Sequence, residues 1–210
     1  MVSVITKHNR HRHAPLVNAM HADRKRIFVD WLKWDVPVVD GEYEVDQFDT
    51  EDAIYLAIAD PDSGKHMGSV RLLPSTVPHL LSEVFPHLVE GEVPRAPDVW
   101  EITRMCTTPE IARSWTQVQV WRQLAVALVE FGLLYGIRQY TLITHMPFVP
   151  TLISAKWNCT PIGLPVSMDG VDVAALAVDV DPPTLARMRA AFGPKHPVLQ
   201  IDDQALPLAA

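Results

Sequence analysis

Two apolar segments separated by five residues constrain the fold of this chain most. AIYLAIAD (residues 53–60) and HMGSVRLLP (residues 66–74) contain the apolar and β-branched residues that favour strands. PDSGK lies between them and supplies the proline, aspartate and glycine of a turn. The pattern predicts an antiparallel hairpin with Arg71 on its second strand.

Helical and strand patterns follow on both sides of this hairpin. PLVNAMHADRKRIFVDWLKWDVP has apolar residues at three- and four-residue steps and predicts a helix that ends before Pro37. Residues 116–135 predict a long apolar helix that Gly136 can end. The remaining predictions are a short helix around HLLSEVF, strands in DVWEITRMCT, QYTLITHM and VDVAALAVDV, a turn at Asp169-Gly170 and a helix from Pro182 to Gly193. This order predicts one α/β (α+β) domain over residues 1–210, with a single mixed, largely antiparallel sheet flanked by helices.

Composition and charge argue against a nucleic-acid-binding protein and against a membrane-inserted one. The formal charge of −7 disfavours a protein that binds nucleic acid mainly through phosphate contacts. No apolar run approaches the roughly 20 residues that span a bilayer, and the N-terminus lacks an apolar signal segment, so we expect a cytoplasmic protein without membrane insertion. Cys106 and Cys159 are expected to be reduced thiols. HNRHRH is expected in a flexible N-terminus, and no spacing of residues predicts a metal site.

Acidic residues concentrate in EYEVDQFDTED, directly before the first strand of the hairpin. They are Glu42, Glu44, Asp46, Asp49, Glu51 and Asp52. An unpaired buried carboxylate is heavily penalised by desolvation, so cationic groups should meet some of them.

Charged residues also occupy the predicted strand VWEITRM. On a regular strand Glu101 and Thr103 point to one face and Arg104 to the other. Both charges reach one site only if the strand bulges, and bulges cluster near active sites, so we expect a bulge near residues 101–104. The alternative is an ordinary ion pair between Glu101 and Arg104 on an edge strand.

Taken together, these positions resemble the LuxI-type acyl-homoserine lactone synthases. The resemblance rests on Arg24-x-x-x-Phe28, LKW ending at Trp34, YEVDQFD with Glu44, Asp46 and Asp49, GSVRLLPS with Arg71, VFPHL with Phe85, and VWEITR with Glu101 and Arg104. It implies a fold similar to the acetyltransferases of the GNAT type, in which a thioester opens between splayed strands. TTPEIARSWTQ stands where ordinary GNAT enzymes carry a glycine-rich pyrophosphate loop, which disfavours a plain acetyl-CoA enzyme.

The resemblance also implies the reaction and its partners. The amine of S-adenosylmethionine attacks an acyl thioester of CoA or acyl carrier protein, and the methionyl carboxylate then displaces methylthioadenosine to close the lactone. Both molecules are substrates, so no cofactor and no metal are expected. The alternatives are an N-acyltransferase of the same fold that acts on another amine, and a non-catalytic ligand-binding domain.

Site residues follow from the same resemblance. We expect the catalytic residues to be Glu101, as general base, with Arg71 and Arg104. S-adenosylmethionine is expected near Arg24, Phe28, Trp34, Glu44, Asp46 and Asp49, whereas Glu42, Glu51 and Asp52 are expected in solvent. The acyl-chain and oxyanion region is expected to contain Thr103, Met105, Cys106, Trp121, Leu124 and Thr144.

The acyl donor and the acyl chain are less constrained. Lys156 is the only basic residue in MPFVPTLISAKW, where relatives that use acyl carrier protein tend to present basic residues. We therefore expect acyl-CoA to be used at least as readily as acyl carrier protein. Chain length and the oxidation state of the chain stay open.

Overall fold

In the computed structural model, which describes residues 1–193 and 196–202, nine strands form one mixed sheet. The strands are β1 (Val2–Ile5), β2 (Val38–Val39), β3 (Tyr43–Glu44), β4 (Ile54–Ala59), β5 (His66–Pro74), β6 (Val99–Thr107), β7 (Gln139–His145), β8 (Cys159–Pro161), β9 (Val166–Met168), β10 (Val171–Asp179) and β11 (Leu199–Gln200). The helices are α1 (Ala14–Arg24), α2 (Leu80–Glu83), α3 (Trp115–Leu134), α4 (Val149–Ser154) and α5 (Pro182–Phe192). The strand order is β11-β1-β4-β5-β6-β7-β10-β8, with β9 also beside β10, while β2 and β3 pair separately. The predicted α/β class with one largely antiparallel sheet is confirmed.

The first of two compact units contains Met1–Arg71, Arg104–Ala127 and the described residues from Val198 onward. In it β1 pairs antiparallel with β4 and parallel with β11. The prediction of a flexible N-terminus is wrong, because Val2–Ile5 is a strand and Arg10–His13 is a 3-10 helix. Asn9 is fully buried and fixes this turn by donating to the Val4 carbonyl.

The second unit contains Leu72–Thr103 and Leu128–Pro197, apart from residues 194–195. In it β10 pairs antiparallel with β7, β8 and β9, and β6 runs parallel to β7. Asp169 and Gly170 have φ of 49° and 81°, as the predicted turn between β9 and β10 requires. Leu81 of α2 packs with Val173 and Ala175 of β10.

Helix ends follow the predicted signals except in the first helix. Gly136 and Gly193 have φ of 68° and 92° and end α3 and α5 in the left-handed region. The predicted end of the first helix, just before Pro37, is wrong. α1 continues as a π-helical segment, and this segment ends at Trp31. The single-domain prediction for residues 1–210 stays a prediction, and residues 194–195 and 203–210 lie outside the described residues.

Candidate active site

Arg24, the last residue of α1, anchors the acid-rich segment. Its Nε donates to Oε2 of Glu44 at 2.5 Å, and its two terminal nitrogens donate to the two carboxylate oxygens of Asp49 at 2.8 Å each. The Arg24 and Glu44 side chains are 1% and 0% exposed. Charge-assisted bidentate bonds are among the stronger polar contacts in proteins, so this contact holds the segment against α1.

Two more arginines reach the segment from adjacent strands. Arg71 of β5 donates to both carboxylate oxygens of Asp46 at 2.6 and 3.0 Å and lies 2.9 Å from Asp49. Arg104 of β6 donates to Glu44 at 2.9 and 3.1 Å and to Asp46 at 2.7 Å.

These six side chains close into a ring in which each arginine bridges two carboxylates. The order is Arg24, Glu44, Arg104, Asp46, Arg71, Asp49 and back to Arg24. We call this set the arginine–carboxylate ring. Three cations balance three anions, so the ring carries no net charge, and it provides the partners that the buried acids required. Glu42, Glu51 and Asp52 are exposed and lie outside it.

The ring favours the charged forms of Asp49, Arg24 and Arg71. Burial alone would raise the pKa of Asp49, but hydrogen bonds and charge from Arg24, with the charge of Arg71, outweigh burial and hold that pKa far below its ordinary value. Burial opposes the charged form of Arg24 too, yet Asp49 and Glu44 raise the pKa of its guanidinium. Asp46 and Asp49 likewise raise the pKa of Arg71.

Tyr55 and His21 support the ring, although the sequence pattern did not indicate either. The Tyr55 hydroxyl donates to Asp49 at 2.8 Å, and Nδ1 of His21 lies 2.9 Å from the backbone carbonyl oxygen of Glu44. Burial, and then the charge of Arg24, lower the pKa of His21, so the neutral imidazole donates to this carbonyl. Tyr55 lies in an apolar strand pattern typical of a core position, and only its distance from Asp49 identifies its role.

Phe28 and Trp34 form an aromatic pair beside Arg104. Their ring centroids are 4.8 Å apart at an interplanar angle of 12°, and the Arg104 guanidinium lies 5.5 Å from the Phe28 centroid and 5.9 Å from that of Trp34. Trp34 is 36% exposed, whereas Phe28 is buried. Arg104 has φ of 52°, so the backbone of β6 is irregular at the edge of the range where a bulge was predicted.

Glu101 is fully buried and binds the start of α2. Its two carboxylate oxygens accept hydrogen bonds from the backbone N–H groups of Leu80 at 2.9 Å and Leu81 at 2.7 Å. These bonds satisfy two N–H groups that a helix start leaves without intrahelical partners. The carboxylate is thereby fixed in orientation.

The other predicted site residues line β6, β7 and α3. Thr103, Cys106 and Leu124 are buried, while Met105, Trp121 and Thr144 are half-buried. Burial raises the pKa of the Cys106 thiol to about 12, which disfavours the reactive thiolate. Both cysteines are free, as predicted. Among residues 1–193 and 196–202, no three histidine, cysteine or acidic residues are grouped to hold a metal ion, and no helix has the length and apolarity needed to cross a bilayer.

Comparison with known proteins places these residues in a family. The sequence model of the autoinducer synthase family matches residues 7–188, a range that includes the whole arginine–carboxylate ring and Glu101. This chain belongs to the autoinducer synthase family. The isovaleryl-homoserine lactone synthase of Bradyrhizobium diazoefficiens is 33% identical over 187 residues, which are 88% of this autoinducer synthase and 82% of that enzyme.

Solved structures agree with this family and its fold. A CoA-dependent acyl-homoserine lactone synthase solved with S-adenosylmethionine and isopentyl-CoA superposes with a TM-score of 0.88 at 30% identity. The match covers 96% of this autoinducer synthase and 93% of that chain. A protein of Lactobacillus plantarum described as an N-acetyltransferase superposes with a TM-score of 0.54 at 18% identity over 86% of this chain and 99% of its own, which shows the shared fold alone.

Proposed function

We propose that this protein is an acyl-homoserine lactone synthase that makes a quorum-sensing signal. It transfers an acyl group from a thioester to the amine of S-adenosylmethionine and then closes the lactone with release of methylthioadenosine. The observation that carries the proposal is the family match over residues 7–188, which contains every residue of the arginine–carboxylate ring. Similar enzymes solved with S-adenosylmethionine and with methylthioadenosine support it.

The arginine–carboxylate ring shapes the site for S-adenosylmethionine. Because the ring is buried and neutral, its main effect is to hold the segment from Glu44 to Asp49 in place rather than to present free negative charge. Trp34 and Phe28 offer an aromatic surface for the adenosyl sulfonium, where a cation over a ring contributes about 0.5–2 kcal/mol. Trp34 is the accessible member of the pair.

Glu101 is the proposed general base. The ammonium of S-adenosylmethionine must lose a proton before its nitrogen can attack, and a carboxylate fixed by two N–H donors is an acceptor of defined orientation. The oxyanion of the tetrahedral intermediate needs donors, for which we propose backbone N–H groups near residues 103–106, where β6 is irregular.

Acyl-CoA is the proposed acyl donor. Similar enzymes described as CoA-dependent support this choice, with TM-scores of 0.88 and 0.84. Isovaleryl-CoA is the first donor to try, since a relative at 33% identity is an isovaleryl-homoserine lactone synthase. We also propose that the reaction takes place in the cytoplasm. It needs no separate cofactor, because both reacting groups belong to substrates.

Expression in a bacterium that lacks lactone signals tests the proposal. Mass spectrometry of organic extracts should detect an acyl-homoserine lactone and identify its acyl group. The Glu101→Gln variant should reduce this product strongly, and the Glu83→Gln variant, at an exposed position of α2, should not. Extracts without lactone, from cells that contain the folded protein, would contradict the proposal. An open-chain amide would favour an N-acyltransferase instead.

A further inference from the structure

His79 carries a buried imidazole that the proposed reaction does not use. The residue is 0% exposed, and its Nδ1 lies 2.9 Å from the carbonyl oxygen of Val77 and 3.1 Å from Oγ of Ser82. In the part of the chain that the structure describes, its Nε2 has no hydrogen-bond partner. A buried nitrogen without a partner costs free energy, and an apolar side chain would fill the same space without that cost. The reason for a histidine at this position therefore lies in the contacts of Nδ1.

The imidazole of His79 is neutral, and its proton lies on Nδ1. Burial is the largest influence and lowers the pKa of His79, and the charge of Arg95 acts in the same direction. The hydrogen bond with Val77 and the charge of Glu83 raise this pKa but do not outweigh burial. Because a carbonyl oxygen only accepts hydrogen bonds, the neutral ring donates from Nδ1 to Val77. This bond ties His79 to the chain just before it.

The backbone of His79 forms the start of α2. It is extended, with φ of −143° and ψ of 169°, and its N–H donates to Oγ of Ser82 at 3.2 Å. Its carbonyl accepts a hydrogen bond from the N–H of Glu83 at 3.0 Å, which closes the first turn. The side chain and the backbone of His79 together fix where this short helix begins and in which direction its first N–H groups point.

Those first N–H groups are the donors that bind Glu101. Leu80 follows His79 directly and donates to one carboxylate oxygen of Glu101, and Leu81 donates to the other. A general base works only when its oxygen faces the proton that it removes. A misplacement of about 1 Å can lower a rate by about 10²-fold. A change in the start of α2 therefore changes the position of the proposed base.

We propose that His79 is a positioning residue that, through the N–H groups of Leu80 and Leu81, holds the carboxylate of Glu101 in the orientation in which it takes a proton. The inference rests on the proposed function, because it concerns the same reaction. His79 acts through α2 and takes no proton from the substrate itself.

Two substitutions of His79 separate positioning from packing. His79→Asn keeps a nitrogen donor, because the amide nitrogen of asparagine is bonded to Cγ as Nδ1 is in histidine, and asparagine is favoured directly before a helix. His79→Leu keeps a side chain of similar size and removes the donor. His87→Leu is the control, because His87 is an exposed histidine four residues after the end of α2.

Each purified variant is assayed with S-adenosylmethionine and isovaleryl-CoA. Two further measurements need no activity. The melting temperature reports whether the fold is intact, and hydrogen exchange measured by NMR reports how firmly the N–H groups of Leu80 and Leu81 are held.

We expect His79→Leu to lower kcat by roughly tenfold or more and to change KM for S-adenosylmethionine by less than about twofold. The N–H groups of Leu80 and Leu81 should exchange about tenfold faster or more in this variant. His79→Asn should recover most of kcat and most of the protection, and His87→Leu should behave as the wild type. In a Glu101→Gln background, His79→Leu should have no further effect on kcat, because the two residues act as one unit.

Three results would overturn the inference. One is wild-type kcat in a folded His79→Leu enzyme. Another is an equal loss of kcat in His79→Leu and His79→Asn, which indicates packing. The third is a lower kcat while the N–H groups of Leu80 and Leu81 exchange as in the wild type.

A second variant covers the case in which His79→Leu does not fold. Ser82→Ala removes the acceptor of the His79 backbone N–H and should give the same pattern of lower kcat and faster exchange at Leu80 and Leu81. Wild-type kcat and exchange in Ser82→Ala would then overturn the inference. A wild-type protein that forms no lactone would instead overturn the proposed function, and the exchange measurements would still test whether His79 holds the start of α2.

Discussion

Asp49 accepts hydrogen bonds from Arg24, from the Tyr55 hydroxyl and from the backbone N–H of Asp46. Asp49→Asn replaces a carboxylate with a neutral amide and leaves guanidinium charge buried without compensation. Breaking a buried ion pair in this way costs about 3–5 kcal/mol. We expect a loss of that size in the free energy of unfolding measured by urea denaturation. Asp52→Asn, at an exposed position, is the control, and equal stability of the two variants would contradict the role of the ring.

The depressed pKa of Asp49 also makes its stabilisation dependent on pH. Folding favours the ionised form, so the contribution is fully present above the pKa of the unfolded carboxyl, about 3.9, and is lost as pH falls towards the lower value of the folded state. The difference in unfolding free energy between the wild type and Asp49→Asn should be constant from about pH 5 to 7 and shrink below about pH 4. A difference that grows on acidification would have the wrong sign.

Glu101 is the residue on which the proposed chemistry depends most. Glu101→Gln keeps the size of the side chain but removes its capacity to take a proton, so turnover should fall by about 10²-fold or more. Circular dichroism and the melting temperature report whether α2 keeps its place, because glutamine retains only one oxygen for the two N–H groups. Turnover within about threefold of wild type at every pH would exclude Glu101 as the base.

At the scale of elements, the position of the Arg104 side chain depends on the irregular backbone of β6. Its guanidinium bonds to Glu44 and Asp46 and lies over Phe28 and Trp34, a set of contacts that a lysine ammonium does not reproduce. We expect Arg104→Lys to raise KM for S-adenosylmethionine by roughly tenfold, which corresponds to a loss of about 1.4 kcal/mol of binding free energy. KM for the acyl thioester should stay nearly constant.

A matched control for this substitution is available on the surface. Arg138→Lys changes an exposed arginine that pairs with Asp98 and should leave both KM values unchanged. If Arg104→Lys behaved in the same way, the contacts of Arg104 would be structural only.

Local signals in the sequence predicted most elements but not all of them. The turn residues of the hairpin, Gly136 at the end of α3 and Gly193 at the end of α5 act within a few residues of where they lie in the chain. β1 and β11 were missed because they are short and pair across the whole chain, Val2 with Leu199. Pairing of this kind leaves no local pattern.

The residues of the candidate site were also predicted only in part from the sequence. The density of acids required buried cations. Their positions on predicted strands singled out Arg71 and Arg104, whereas Arg24 was identified by family resemblance alone. The closed ring and the contact of Tyr55 with Asp49 were not predicted, because they depend on how distant elements pack. The bonds from Leu80 and Leu81 to Glu101 join residues about 20 positions apart and left no signal either.

At the scale of the whole molecule, the choice of acyl donor is a matter of surface charge. The chain has a formal charge of −7, and Lys156 is the only basic residue of segment 146–157. Acyl carrier protein is acidic, so this surface offers it little electrostatic attraction. We expect kcat/KM for isovaleryl-CoA to equal or exceed that for isovaleryl-acyl carrier protein, at low and at moderate salt. A carrier-protein preference above about a hundredfold, or roughly 2.7 kcal/mol, would contradict this.

The most direct test of the central claim is the stoichiometry of the purified enzyme. S-adenosylmethionine and isovaleryl-CoA are mixed with the protein, and free CoA thiol, methylthioadenosine and lactone are measured in one time course. We expect the three products to form in equal amounts, because acyl transfer and ring closure belong to one turnover. CoA release that yields an acyl amide without methylthioadenosine would contradict it.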